Sequence, residues 1–298
     1  VQPLNTAALL QLPSFHSAAL EFLRPLLNYL HDPSCYDIVT GTPQLKHTAF
    51  SAIEESKMLD YKFIRFFGVP RGSVYGFKVA QFFKANNRPV WNCYIKDAFR
   101  DKLPHYHMQT QPVVASRLFT IASSPEPTYF IQFDFSAYYD QFALSPLVSA
   151  LFCFLGRDGA TYALSRMPMG FTLACAIAQA TTWQLLNFEH KSTIFTCIDN
   201  VAFAGTADQV VHDVSLFLQR CLAVSATLNE LNHQQLSDFV ASEPQLQREA
   251  ILSWHENSFT FLGIAYDWPS KAKSLAPKSI EKLIATRQCL LSMSDFIL

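Results

Sequence analysis

The chain has 298 residues, of which half are hydrophobic and only 16% are charged, a composition typical of packed globular proteins and not of disordered ones. The net charge of −1 does not by itself indicate a nucleic-acid partner, and no apolar run reaches the roughly 18 residues that a membrane span requires. The N-terminus lacks a secretory-signal layout, and the seven cysteines form no C-x-x-C pair. These cysteines predict neither a zinc site nor a disulfide framework and favour a reducing intracellular compartment, cytoplasm or nucleus.

The charge is unevenly distributed, because ten basic residues and only three acidic ones lie between Lys57 and Lys102. Phe, Tyr and Trp are interleaved with this charge, as on surfaces that bind a polyanion such as nucleic acid. A solvated surface with chance clustering of charge is the alternative. The sequence begins with Val and ends at SDFIL, which is compatible with a segment of a longer protein.

The first predicted element is an amphipathic helix, SAALEFLRPLLNYLHD, which Pro25 bends or splits. Two short strands follow, GSVYGFKVAQFF and RPVWNCYI, joined by the turn KANN. A strand opened by two prolines, PEPTYFIQF, ends at Asp134. The stretch SPLVSALFCFLG then begins as a helix, with Ser145 as N-cap and Pro146 at the first helical position.

The second half of the chain continues the mixture of helices and strands. TYALSRM predicts a strand, and the Ala-rich PMGFTLACAIAQATTWQLLNFEH predicts a long buried helix. Apolar residues on both sides of Asp199 and Asn200 predict a β-hairpin over 195–205 with this pair as its turn. A helix over 207–227, a strand pair around SFTFLGIAYDW and a helix over 278–293 follow. The absence of a regular βαβ rhythm favours an α+β fold with an antiparallel sheet.

Two aspartates each follow an apolar strand, Asp134 after YFIQF and Asp199 after TIFTCI. An ionised carboxylate at the end of a buried strand is costly unless a cation compensates it. Two strands of one sheet can bring both carboxylates together, and such a pair suits two Mg²⁺ ions that clamp the attacking and leaving oxygens of a phosphoryl transfer. In the alternative interpretation, Asp199 and Asn200 are turn residues and Asp134 is a helix N-cap.

Four pieces of sequence, FDFSAYYDQFAL, MPMGFTLACAIAQATT, CIDNVAFAG and FTFLGIAYDW, occur in this order. They resemble motifs A, B and C and the primer grip of reverse transcriptases, and the resemblance covers roughly residues 75–285. Each piece alone is a weak signal, whereas four in order at the family's spacing are specific. The wording YYDQF and SLAPKSIEKL is similar to retrotransposon enzymes of the tyrosine-recombinase (DIRS-like) kind, with the VIPER group as a narrower candidate.

The resemblance extends to individual positions, with one departure. Motif A places Tyr139 and Gln141 after its acid, and the primer grip matches Phe261, Leu262 and Gly263. In motif C, Cys197 stands for the usual aromatic residue and Asn200 for the usual second acid. The matching positions of motif B are Pro168, Gly170, Ala174 and Gln179.

The resemblance implies a two-metal site for Mg²⁺. In it, Asp134, Asp199 and the backbone carbonyl of Phe135 hold the ions. Asn200 occupies the second acidic position of the catalytic motif, where it lowers the negative charge by one. We therefore expect weaker Mg²⁺ binding or a preference for Mn²⁺, and loss of activity is the alternative.

The resemblance also implies contacts with the nucleotide. Tyr139 lies under the incoming sugar and disfavours a 2′-hydroxyl, with a core aromatic as the alternative. Gly170 lets the backbone approach the nucleotide closely. Gln179 points toward the nucleotide or template, or is a polar group on a helix face. The segment FFKANNRPVWNC resembles the fingers segment before motif A, in which Arg88 and Lys84 contact the triphosphate, with surface cations of no special role as the alternative.

The resulting prediction is an α+β fold with right-hand polymerase fingers and palm, an antiparallel palm sheet and a largely absent thumb. The predicted divisions are an N-terminal helical extension over 1–49, fingers over 50–125, palm over 126–270 with some finger elements at 146–168, and the start of a thumb or connection over 271–298. The predicted reaction adds dNTPs to a primer on an RNA or DNA template. The alternatives are a catalytically decayed nucleic-acid-binding domain and a protein with neither activity, whereas Tyr139 disfavours an RNA-synthesising polymerase. We expect no membrane association.

Overall fold

The computed structural model describes residues 1–37, 41–80, 87–95, 99 and 104–294, with the side chains of the last helix described as far as residue 288. Helices and strands are mixed along the chain. The helices in these ranges are α1 (Thr6–Gln11), α2 (Ser17–His31), α3 (Ala52–Met58), α4 (Gln111–Ala122), α5 (Pro146–Ser149), α6 (Ala174–Leu185), α7 (Ala207–Ala223), α8 (His233–Ala241), α9 (Pro244–Ser253) and α10 (Pro277–Ser294). The strands are β1 (Phe63–Arg65), β2 (Val74–Val79), β3 (Arg88–Cys93), β4 (Thr128–Asp134), β5 (Cys153–Leu155), β6 (Thr161–Leu164), β7 (Thr193–Cys197), β8 (Asn200–Thr206), β9 (Ser258–Phe261), β10 (Ile264–Asp267) and β11 (Ala272–Leu275).

The strands pair antiparallel in small sheets, which confirms the predicted α+β class with antiparallel sheets. The central sheet has the strand order β4-β8-β7. Strands β4 and β8 are distant in sequence and pair directly with each other. The other sheets have the orders β1-β6-β5, β9-β10-β11 and β2-β3. The predicted pairing of β2 with β3 is confirmed, whereas most of the KANN turn lies outside the described residues.

The central sheet buries apolar side chains on both faces. On one face, Phe133 of β4 packs against Phe217 of α7 within the larger core. On the other face, Phe130 of β4 stacks on Phe259 of β9 within a second core. Because side chains alternate along a strand, Asp134 lies on the same face as Phe130, at the end of β4 where the apolar packing stops.

The N-terminal residues belong to the same core as the central sheet. Leu26 and Leu30 of α2 are buried with α6 in the larger core. Arg220 of α7 joins these parts, because its guanidinium donates hydrogen bonds to the backbone carbonyls of Pro13, Gln184 and Leu185. Two of these carbonyls end α6, where the helix leaves acceptors unpaired. A positive charge there also opposes the negative end of the helix dipole.

Most predicted elements are confirmed within four residues, with three differences. The Ala-rich helix predicted over 168–190 is shorter, Ala174–Leu185. The predicted helix at Pro146 is capped by Ser145 as expected but ends at Ser149, and strand β5 follows. The predicted hairpin forms from β7 and β8, but its turn is Ile198 and Asp199. Asn200 instead begins β8 and pairs with Cys197, which makes the turn one residue earlier than predicted.

We predict that Arg220→Lys lowers the free energy of unfolding by about 2–3 kcal/mol, because an ammonium cannot serve three carbonyls held in a planar fork. Urea denaturation followed by circular dichroism measures this change. Arg248→Lys is the control, because Arg248 forms an ion pair with the highly exposed Asp208. Weakening this surface ion pair should change the free energy of unfolding by less than about 1 kcal/mol. Equal stability changes in the two variants would contradict the prediction.

Candidate active site

The register of the central sheet places the two predicted aspartates side by side. Asp134 is the last residue of β4 and lies directly opposite Asn200, the first residue of β8. Beyond this pair, the backbone N–H of Phe135 donates a hydrogen bond of 2.8 Å to the carbonyl of Asp199. The turn that carries Asp199 is therefore fixed to the residue that follows Asp134, and both carboxylates line one cleft.

Helix α6 holds this turn in an unusual conformation. Ile198 has φ +56°, a left-handed value that is costly for a β-branched residue. The fully buried Gln179 accepts a 2.7 Å hydrogen bond from the N–H of Ile198. Thr182 donates one of 2.7 Å to the carbonyl of Ile198. Both backbone groups of Ile198 are thus satisfied by α6, which presents the following Asp199 to the cleft.

Both carboxylates have raised pKa values. Burial, then the neighbouring Asp199 and Glu230 carboxylates, raise the pKa of Asp134 to about 6. Burial also raises the pKa of Asp199. The positive charge of Arg88 acts in the opposite direction on both groups, which shows that Arg88 lies within electrostatic reach of the pair. Burial is thus the main reason why both carboxylates are costly to ionise, and acidic neighbours add to it at Asp134.

The cleft has a volume of about 560 Å³ and carries charge of both signs. Its cationic side chains are those of Lys62, Arg88 and Arg166, and Asp134 and Asp199 are among its acidic ones. Arg88 is exposed on β3, so its guanidinium is accessible to a ligand that enters from solvent. A cleft with carboxylates and separate cations matches a ligand with phosphate groups and associated divalent ions.

Two of these cations were not selected by the sequence analysis. Lys62 forms a 2.9 Å ion pair with Asp140, and this carboxylate raises the pKa of Lys62 although burial acts to lower it. Arg166 donates hydrogen bonds to the carbonyls of Asp140 and Tyr61. For Lys62, the sequence signal that could have identified it is its position in the basic segment between Lys57 and Lys102. For Arg166, that signal is its position directly before the motif B piece.

The adjacent tyrosines of motif A have different environments. Tyr138 is buried, stacks on Phe135 and bonds to Thr182, so it is the core aromatic of the pair. Tyr139 is half-buried and lines the cleft, and its hydroxyl lies 3.1 Å from the sulfur of Cys175. Burial, followed by this thiol, raises the pKa of Tyr139. Tyr139 is therefore placed where its ring can contact a ligand in the cleft.

Gly170 is required by packing between two parts of the chain. Its φ is +105°, and a Cβ atom there would clash with the backbone carbonyl of Trp91 in β3. The N–H of Trp91 also donates a hydrogen bond of 2.8 Å to the carbonyl of Met169. Glycine thus lets the loop before α6 contact the strand that carries Arg88, which gives it a structural role independent of any nucleotide.

The remaining predicted site residues lie away from the cleft wall or outside the described ranges. Gln179 lies behind the turn, and its amide is used by the hairpin. Phe261 is buried in the second core, whereas Leu262 and Gly263 form the turn between β9 and β10, both with positive φ. Lys84 lies outside the described residues.

The donor atoms at the paired aspartates are the oxygens that Mg²⁺ and Mn²⁺ prefer. Within the described part of the chain, no three His, Cys, Asp or Glu side chains are arranged to hold a metal ion. However, Oδ1 of Asn200 is buried without a hydrogen-bond partner, directly beside Asp134 in register. Two carboxylates of raised pKa next to an unpaired amide oxygen fit a divalent cation.

Comparison with known proteins gives a structural match. No protein-family model and no curated protein matches the sequence. Among solved structures, the foamy viral protease-reverse transcriptase dRH in complex with dsDNA matches with a TM-score of 0.56 at 13% identity, over 91% of this chain and 46% of that one. The chain has a reverse-transcriptase-like fold.

Two further structures of the foamy viral protease-reverse transcriptase show the same similarity. The complex with dsDNA matches 97% of this chain and 60% of that one, with a TM-score of 0.55 and 16% identity. The complex with an RNA/DNA hybrid matches 91% of this chain and 36% of that one, with a TM-score of 0.52 and 16% identity. The chain thus spans between about one third and three fifths of these proteins.

None of the described helices is long and apolar enough to cross a bilayer.

We predict that Gln179→Ala releases the turn at Ile198 and loosens the position of Asp199. Hydrogen exchange at the amide of Ile198 should accelerate by about tenfold or more, because its acceptor is lost. Thr181→Ala is the matched control, since Thr181 is equally buried on α6 but bonds only to its own helix. An unchanged hydrogen-exchange rate at Ile198 in Gln179→Ala would contradict the role of Gln179 in holding the turn.

We predict that Asp134→Asn stabilises the metal-free protein at pH 7. The folded pKa of about 6 exceeds the ordinary 3.8, so the folded state binds more protons in this window, and stability falls as the pH rises from about 4 to 6. The penalty above this window is up to about 3 kcal/mol. Solvent screening at this half-buried group reduces it to about 1 kcal/mol.

Urea denaturation in a chelating buffer measures this stability difference at pH 7 and at pH 4. The amide oxygen that Asp134→Asn introduces still accepts from Asn229, so the gain should appear at pH 7 and disappear at pH 4, where both forms are uncharged when folded. Equal stability of variant and parent at pH 7 would show that the carboxylate carries no penalty there.

Proposed function

We propose that the chain is the fingers-and-palm part of a retroelement reverse transcriptase, an RNA-directed DNA polymerase that adds dNTPs to a primer 3′-hydroxyl. The observation that carries the proposal is the cleft in which Asp134 and Asp199 lie together within reach of Arg88. The reverse-transcriptase-like fold supports it, as does the order of the sequence motifs. The assignment to DIRS-like retroelements rests only on the sequences of motif A and of the primer-grip region.

In this function the protein acts mainly by positioning and by charge, as expected for phosphoryl transfer. Arg88 and Lys62 bind the triphosphate and neutralise charge that develops on its oxygens. Tyr139 contacts the sugar and limits the space for a 2′-hydroxyl. The primer terminus reaches the same cleft, so that its hydroxyl faces the phosphate beside Asp134.

Asp134, Asp199 and the carbonyl of Phe135 would hold two Mg²⁺ ions, or Mn²⁺. When bound, such ions polarise the phosphoryl oxygens and lower the pKa of the attacking hydroxyl. The protein prepares this site by placing two carboxylates where their own repulsion and burial favour a cation.

The proposed organisation assigns residues 50–125 to the fingers and 126–270 to the palm, so that the central sheet is the palm sheet. In this assignment β3 with Arg88 belongs to the fingers and packs on the loop around Gly170. Residues 271–298 begin the thumb or a connection. Residues 1–49 are assigned to an N-terminal helical extension, whose Leu26 and Leu30 are buried in the same core as the central sheet.

A second candidate function is binding of RNA or DNA without catalysis. The specific observation that favours it is Asn200, a neutral residue directly opposite Asp134 where a further carboxylate would strengthen metal binding. This function keeps the basic segment and the fold but not the chemistry.

We predict that the chain extends a primer annealed to homopolymeric RNA, with higher activity in Mn²⁺ than in Mg²⁺. Asp199→Asn should lower the rate by about 100-fold or more, because a carboxylate at the reacting phosphate is lost. Arg88→Ala should raise KM for the dNTP by about tenfold through the lost charge-assisted contacts. Gel-resolved extension assays measure both.

Asp238→Asn is the control, because it removes an exposed carboxylate on α8 that bonds only to Gln234. Salt-dependent template binding is measured on the same samples. Binding without extension in both metals would select the second candidate function. Absence of salt-dependent binding together with absence of extension would exclude both.

A further inference from the structure

The segment after α7 is fixed beside the catalytic end of β4. The buried Gln141 donates from its amide to the carbonyls of Ser136 and Thr227, at 2.7 and 2.9 Å, and accepts from the N–H of Thr227 at 2.9 Å. Leu228 forms an antiparallel bridge with Phe135. These contacts hold the two residues that follow, Asn229 and Glu230, next to Asp134, although 95 residues separate Asn229 from it.

Asn229 and Glu230 occupy the open edge of β4 around Asp134. The N–H of Asn229 donates a 2.8 Å hydrogen bond to the carbonyl of Asp134, and its side-chain amide donates to the Asp134 carboxylate at 3.2 Å. The N–H of Asp134 donates to Oε2 of Glu230 at 3.1 Å. Glu230 is an exposed residue next to Asn229, which lines the cleft.

The opposite side of Asp134 lacks a charge. Asn200 lies directly across from it in register, with Oδ1 buried and without a partner. Two divalent ions carry four positive charges, whereas Asp134 and Asp199 supply two negative ones. Additional negative charge near Asp134 therefore strengthens metal binding by simple Coulomb attraction, most strongly at low ionic strength.

We propose that Glu230 supplies the third negative charge of the metal site and positions Asp134 through its backbone N–H. This role rests on the proposed function, since it concerns the same ions. Glu230 is a positioning residue, because the described residues contain no three acidic side chains that jointly surround one ion. Its charge compensates for the neutral Asn200 from the other side of β4.

A purely structural role for Glu230 would consist of closing the edge of β4 by accepting the N–H of Asp134. Glu230→Gln separates the two roles, because the amide oxygen still accepts this hydrogen bond while the charge is lost. Asn200→Asp provides the complementary change. It places a carboxylate opposite Asp134, with the Cβ atoms about 5 Å apart, and thus restores charge without altering Glu230.

The test measures binding of Mn²⁺ alone to the 298-residue chain by electron paramagnetic resonance, at an ionic strength below about 0.1 M. We expect Glu230→Gln to weaken Mn²⁺ binding by about tenfold. Adding Asn200→Asp to Glu230→Gln should restore Mn²⁺ affinity to within about twofold of the parent, because the new carboxylate replaces the lost charge. Glu249→Gln, an exposed carboxylate on α9 that bonds to Gln245, should leave binding unchanged.

Urea denaturation of each variant confirms that the fold is retained. Parent-like Mn²⁺ affinity in Glu230→Gln would overturn the inference, and so would a double variant in which Asn200→Asp restores none of the lost affinity, which indicates only a structural contact. Asp134→Asn distinguishes the two levels of the proposal. If it abolishes Mn²⁺ binding while Glu230→Gln does not, the inference fails and the proposed function stands. If Asp134→Asn also retains the parent affinity, the proposed metal site fails.

Discussion

The antiparallel register between β4 and β8 is the constraint on which the site depends. It pairs Asp134 with Asn200 and thereby brings the hairpin turn to the residue after Asp134, where the hydrogen bond from Phe135 to Asp199 fixes it. Because side chains alternate along a strand, a shift of one residue would move Asp134 into the core and Phe133 into the cleft. The apolar side chains buried on both faces of the sheet therefore specify the position of the carboxylates.

The same sheet explains why the site is electrostatically unfavourable without a ligand. Burial raises the pKa values of both aspartates, and the Asp199 and Glu230 carboxylates raise that of Asp134 further. The nearby cations are partly engaged elsewhere, as Lys62 is with Asp140. Helix α6 adds a strained turn, held by the buried amide of Gln179. Charge and strain are thus concentrated at one end of the sheet, as is common where proteins bind ligands or carry out reactions.

The fold also links regions that are distant in sequence. Gly170 allows the loop before α6 to contact β3, so the strand that carries Arg88 is packed against the motif B region. Gln141 holds the segment of Glu230 against the end of β4. The positions of a cation and of an extra carboxylate relative to Asp134 consequently depend on side chains that do not themselves face the ligand.

The sequence by itself determined the main elements and the candidate acids. Strand β4 and the hairpin followed from apolar runs, and helix α6 followed from its Ala-rich composition. Asp134 and Asp199 stood out because a carboxylate at the end of a buried strand requires compensation. The resemblance of the four motifs to reverse transcriptases favoured a metal-binding role for them over turn and cap roles. The short helices α3, α8 and α9 and the segment of Glu230 were not predicted, because their apolar patterns are brief. Only the tertiary structure brings Lys62 and Arg166 to the cleft, sets Glu230 against the N–H of Asp134 and puts Gln179 behind the turn. These placements depend on packing and hydrogen bonds between distant segments, and local sequence patterns carry no information about such contacts.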